Sequence, residues 1–262
     1  MRALEASLPR AQPGFFHGSP VWALAVLAGV WALAVVTLSD TAARVLGLAA
    51  AHGALLGTAL AWTGTTRRDQ WAPLEAALVL AVAAAVARLH PVGAVAYLSV
   101  PAWLAWRRAP GAAGLAGATV PAVAGGALFG ALLGGHLLVN TSLTFGYRIR
   151  TGPLTELTDW WAYDLGANVL AAELFFRGAL FARAYRRWSF AAAATLSTAA
   201  AVARYLADPL LPHSIGIAAG ATFYMAVLGV GNCWLLARTG SLVPSLVAAT
   251  FFFGAYRLLV AR

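Results

Sequence analysis

NVLAAELFFRGALFARAYRRW, residues 168–188, reads as an apolar helix with one acid and one base set inside it. Glu173 and Arg177 are four residues apart, so a helix carries both side chains on one face, one turn apart. Val169, Leu170, Leu174, Phe175, Phe176, Leu180 and Phe181 surround them. At lipid depth an ionised residue costs roughly 2.5–3.5 kcal/mol on insertion scales and marks a functional site by default. The bland reading is a lock between helices: opposite charges at this spacing neutralise one another and need no substrate.

The rest of the chain says that the surroundings are a membrane. Of 262 residues, 61% are hydrophobic and 10% charged, where a soluble domain carries about 25% charged. No soluble core of this size hides so much apolar surface, which predicts an all-α, polytopic transmembrane helix bundle of eight to nine spans. The runs are too long and too continuous for barrel strands. Candidate spans cover 21–38, 45–62, 74–89, 92–106 (with a kink at Pro101), the glycine-rich 112–139, the stretch around Glu173, 190–206, 215–237 and 242–260.

The net charge is +9 and all 18 basic residues are arginine. They are dispersed through short gaps between apolar runs, which is how loop charges set topology and is no nucleic-acid footprint. The arginine clusters at 67–68, 107–108 and 183–187 fall on one side if the N-terminus is cytoplasmic. A lysine-free, alanine-rich chain suggests a bacterial inner membrane. Residues 1–20 lack a signal-type apolar core, so the run from Val21 reads as an uncleaved first span. The single cysteine, Cys233, excludes an intrachain disulfide and a CxxC metal site. No metal or cofactor motif is present, and membrane lipid is the expected surrounding partner.

Other polar residues have modest readings. His52 and His136 lie in apolar runs and read as interhelical hydrogen bonders; His213 reads as an exposed loop residue. Asn168 and Asn232 read as interhelical polar contacts. Asp159 and Asp164 read as N-terminal charges of the sixth helix. Tyr256 and Arg257 read as interfacial anchors. Trp62, Trp71, Trp103, Trp106, Trp160, Trp161 and Trp188 sit near span ends and read as an aromatic belt.

Three stretches in order, AELFFRGAL (172–180), LSTAAAVARYL (196–206) and RTGSLVPSLVAA (238–249), resemble the CPBP family of CAAX-protease and Abi-type glutamic intramembrane proteases. That family shows EExxxRG, a helix ending FxxxH, and a TGSxxP entry to a helix carrying HxxxN. The resemblance implies a cytoplasmic segment over 1–20, transmembrane helices over 21–150 and a CPBP-like core over 151–262. Glu173 and Arg177 match the second glutamate and the arginine of the first motif. Ala172 stands at the first glutamate, Tyr205 (or Arg204, one register away) at the motif-two histidine, Ala201 or Ala200 at its phenylalanine, Ala249 at the motif-three histidine, and Phe252 or Phe253 at its asparagine.

In the family, the first glutamate and a histidine are thought to activate water, and the other histidine and the asparagine to stabilise the oxyanion. Hydrolysis needs a base within about 2.6–3.2 Å of a water and donors worth about 2.7–4 kcal/mol each at the oxyanion. Alanine and phenylalanine supply neither. The expectation is therefore a protein that keeps the scaffold without peptidase activity and recognises a transmembrane or C-terminal segment of a client protein, with a myxosortase-like sorting role as an analogy. The alternatives are an active endopeptidase built on Glu173, Arg204 or Tyr205 with His136 or His213, and a small-solute permease.

Overall fold

The computed structural model describes residues 14–63, 67–107, 114–115, 117–149, 154–207 and 215–260. Each predicted apolar run forms helix, and the chain is an all-α membrane bundle that crosses the bilayer several times. Helices over Asp40–Thr63, Asp69–Leu89, Val120–Thr144, Trp161–Tyr185 and Ile215–Thr239 are long and apolar enough to span it, and Val21–Thr37, Val92–Trp106 and Phe190–Leu206 are shorter apolar helices. Among the described residues the β structure is one two-residue antiparallel pair, β1 (Arg148–Ile149) with β2 (Leu259–Val260), Arg148 facing Val260.

The chain forms two compact units. One takes residues 13–113 and 152–175. It holds α1 (Val21–Thr37), α2 (Asp40–Thr63), α3 (Ala72–Leu89) and α4 (Ser99–Trp106). α2 and α3 approach closely because Gly53 and Gly57 present no side chain to Ala77 and Pro73. At one end of this unit Arg107 reaches two carboxylates, Asp69 at 3.2 Å and Glu75 at 3.2 Å. Its guanidinium lies 5.5 Å from the Trp103 ring. Trp103 is buried under it, which removes this tryptophan from the predicted aromatic belt; Trp71, Trp106, Trp161 and Trp188 are exposed as a belt requires. The run 92–106 is not a helix kinked at Pro101. It is a 3-10 helix, Pro91–Leu98, leading into α4. Pro101 falls in the first turn of α4, where a missing N–H costs no intrahelical bond.

The other unit takes residues 114–151 and 176–262 among those described. It holds α5 (Val120–Phe145), α7 (Phe190–Leu206), α8 (Ile215–Thr239) and α9 (Val243–Arg257). α5 starts on a Thr119 cap that accepts from the Ala122 N–H and ends at Gly146, whose φ of 66° is the left-handed stop that glycine allows. Of its glycines, Gly126, Gly130 and Gly134 lie against Pro244, Ala248 and Ala255 of α9, whereas Gly125 and Gly135 face open space. Phe129 fills the place of a side chain at Gly231 of α8.

Helix α6 covers residues 154–185 and alternates in pitch. Leu154–Tyr163, Val169–Glu173 and Ala182–Tyr185 are α-helical, while Asp164–Asn168 and Leu174–Phe181 are π-helical. Such widened turns are rare and gather at functional sites. The helix starts ten residues before Asp164. Asp164 is thus an interior residue, 1% exposed, and not the N-terminal charge its sequence context predicts; the polar run before it had concealed the first two turns.

Candidate functional site

Glu173 closes the α-helical turn Val169–Glu173, which packs on α2, and it is buried. In the same unit Asp164 accepts a 3.1 Å hydrogen bond from Asn168 Nδ2. Gly166 lets this part of α6 come against the Tyr97 carbonyl. His52 is buried on α2, with Nδ1 2.7 Å from the Leu48 carbonyl of its own helix and its ring 6.0 Å from that of Tyr163.

Arg177 lies in the π-helical stretch and is 1% exposed. Within its unit its guanidinium occupies room left by Gly229: a β-carbon there would stand 2.9 Å from Nη2 and 2.8 Å from Thr198 Oγ1. The same stretch is tied to α7 by Ser197, whose hydroxyl donates to the Phe176 carbonyl at 2.7 Å. Backbone carbonyls in a π segment depart from the ordinary ladder, and a buried hydroxyl is a fitting donor for one of them. The Cys233 thiol lies 3.9 Å from that hydroxyl. Arg177 thus sits among a glycine, two hydroxyls and apolar side chains.

The stretch RTGSLVP forms the joint between α8 and α9. Thr239 Oγ1 bonds back to the Leu235 carbonyl at 2.8 Å and accepts from the Ser241 N–H at 3.2 Å. Gly240, at φ 72°, makes the left-handed turn. Ser241 Oγ accepts from the Val243 N–H at 3.3 Å, and Pro244 sits in the first turn of α9. The Leu242 N–H donates to the Gly114 carbonyl at 2.7 Å, which fastens the joint to the segment before α5. The motif residues here are turn chemistry, and none of their hydroxyls is left over for a substrate.

α7 and α9 bring the remaining motif positions together. The Tyr205 ring lies 6.4 Å from that of Phe253 and 6.5 Å from that of Tyr256. Phe253 stacks edge-on against Phe252 at 5.4 Å, and Phe252 faces Tyr224 at 6.3 Å. Ala249 is fully buried. Tyr205, aligned with the motif-two histidine, and Phe253, aligned with the motif-three asparagine, are therefore neighbours, and the space between them is filled by aromatic carbon. Arg204 is half-buried on α7.

His136 is within 2.8 Å of the Tyr224 hydroxyl through Nδ1, an interhelical bond between α5 and α8. Asn232 and Ser245 join α8 to α9 reciprocally: Asn232 Nδ2 donates to the Ser245 carbonyl at 3.2 Å, and Ser245 Oγ to the Asn232 carbonyl at 3.0 Å. His213 lies outside the described residues. Thr198, Gly229 and Tyr224 escaped the sequence reading. Their only trace there is the small-residue spacing of α8, which does not say what fills the gap. Among the described residues no group of three His, Cys, Asp or Glu side chains is placed to hold a metal ion.

No curated protein and no solved structure matches the chain. Residues 155–252, a little over a third of it, match the model of the type II CAAX prenyl endopeptidase Rce1-like family. This interval contains all three stretches on which the CPBP resemblance rests. Over residues 155–252, then, the chain is Rce1-like, a segment of the CPBP type.

Proposed function

We propose that this membrane protein keeps the Rce1-like scaffold without peptidase activity, and that it holds a transmembrane or C-terminal segment of a client protein. The observation that carries the reading is the contact of Tyr205 with Phe253 and Tyr256. Positions at which the resemblance places an imidazole and an amide make ring contacts instead. Tyrosine, with an ordinary pKa near 10, is a poor base at neutral pH. Phenylalanine and the buried Ala249 offer no donor to an oxyanion. His136, the described histidine in this unit, is engaged by Tyr224. Glu173 and Arg177 remain as a charged couple one helical turn apart, which stabilises a helix without chemistry.

The arginine clusters at 67–68, 107–108 and 183–187 support a cytoplasmic N-terminus. The absence of lysine among 18 basic residues fits a bacterial inner membrane.

The test is a comparison of membrane proteomes from cells expressing the wild-type chain, Glu173→Gln and an empty vector, with new protein termini read by mass spectrometry. The expected result is the same set of termini in all three. Termini that appear with the wild type and vanish with Glu173→Gln, at equal folded yield, would show a working endopeptidase and overturn the reading.

A further inference from the structure

α5 carries a ridge that its own chain leaves uncovered. Leu128, Leu132, His136, Asn140 and Thr144 follow one another at intervals of four, and all five are exposed. Leu128 and Leu132 are 62% and 65% exposed. The ridge lies within the span Val120–Thr144. At about 1.5 Å per residue His136 is about 24 Å from the start of that span and about 12 Å from its end. An imidazole and an amide are thus presented outward at membrane depth. Lipid tails offer them no hydrogen-bond partner, and polar side chains in spans almost always face protein or a water-filled cavity.

We propose that this ridge is the contact of a symmetric dimer, and that its occupant is α5 of a second copy. Two copies inserted the same way round are related by an axis along the membrane normal, so each ridge residue meets its own counterpart. That arrangement suits groups carrying both donor and acceptor. Imidazole, carboxamide and hydroxyl all do, and each bonds to its own kind. A ridge with lysine or glutamate here would repel its copy.

The spacing also fits. Rows of residues four apart interdigitate at a crossing angle of about −40° to −50°, the right-handed geometry of close-packed membrane helices. The polar groups are held ready for it: Tyr224 fixes His136 through Nδ1, and Thr144 Oγ1 lies 3.3 Å from Asn140 Oδ1. Leu128 and Leu132 extend the contact with apolar area. The inference does not depend on whether the protein cleaves peptides.

The experiment uses the full chain with the buried Cys233 replaced by alanine, in native membranes. Asn140→Cys and Thr144→Cys on that background are expected to form disulfide-linked dimers under mild oxidation, while Val227→Cys, exposed on α8, stays monomeric. In lipid vesicles, energy transfer between donor- and acceptor-labelled copies is expected to require about tenfold more protein per lipid when Asn140 and Thr144 are both alanine. Failure of both ridge cysteines to cross-link, equal cross-linking at Val227→Cys, an unchanged energy-transfer midpoint, or cross-linking of the ridge to a different protein each overturns the proposal.

Discussion

The guanidinium of Arg177 stands where Gly229 lacks a side chain, close enough that a β-carbon on Gly229 would lie 2.9 Å from Nη2. One buried cation and one absent methyl group are therefore a single design. Gly229→Ala must move either the guanidinium or the Thr198 hydroxyl, and is expected to cost about 1–3 kcal/mol, as overpacking does. Thermal unfolding in detergent reads this. On an Arg177→Met background the flexible thioether yields, and the penalty should fall by half or more; an undiminished penalty would mean that Gly229 is needed for some other reason.

Glu173 and Arg177 are separated by one turn of α6, and both are buried. Removing either alone strands a charge, which costs about 3–5 kcal/mol in a buried setting. Glu173→Ala and Arg177→Ala are each expected to lower folded yield, and the double variant to be no worse than either single. Fluorescence-detected size exclusion measures all three. Additive losses would show that the two charges are independent.

Tyr205 distinguishes packing from chemistry. Tyr205→Phe keeps the contacts with Phe253 and Tyr256 and should change stability by less than about 0.5 kcal/mol. Tyr205→Ala opens a gap beside both rings and should cost about 2 kcal/mol, less than the full core value because the residue is half-buried. If Tyr205→Phe also abolished a function of the protein, the hydroxyl would have a role that the ring contacts do not explain.

Arg107 bridges Asp69 and Glu75 from the far end of α4. Arg107→Ala leaves two carboxylates facing each other and uncovers Trp103. It should cost more than Asp69→Asn or Glu75→Gln, by about 1–2 kcal/mol, since each of those leaves one charge pair in place. Unfolding midpoints of the three variants give the order. A smaller loss for Arg107→Ala would mean that the guanidinium is held by solvent.

The helices were legible because apolar runs of span length, broken by arginine, glycine and proline, admit one solution in lipid. The helix that matters most was legible in part. Glu173 and Arg177 stand out as charges among leucine and phenylalanine, but the π-helical turns do not: pitch there is set by what packs against the helix, and no residue periodicity records it. The true start of α6 lay hidden in a polar run, so Asp164 looked terminal. Trp103 looked interfacial because its cover, Arg107, lies beyond the apolar run. The aromatic filling between α7 and α9 could be guessed position by position, yet that Tyr205 and Phe253 are neighbours is a fact of three dimensions.

The widened turns over Leu174–Phe181 amount to surplus chain. An α-helix advances by about 100° per residue, so a segment that accommodates one residue too many holds everything after it at a fixed rotational offset. Deleting a single residue there would let the helix relax to ordinary pitch while swinging Ala182, Arg183 and the joint into α7 by about a quarter turn. A shortened homologue could be as helical as this chain and still aim its seventh helix in another direction.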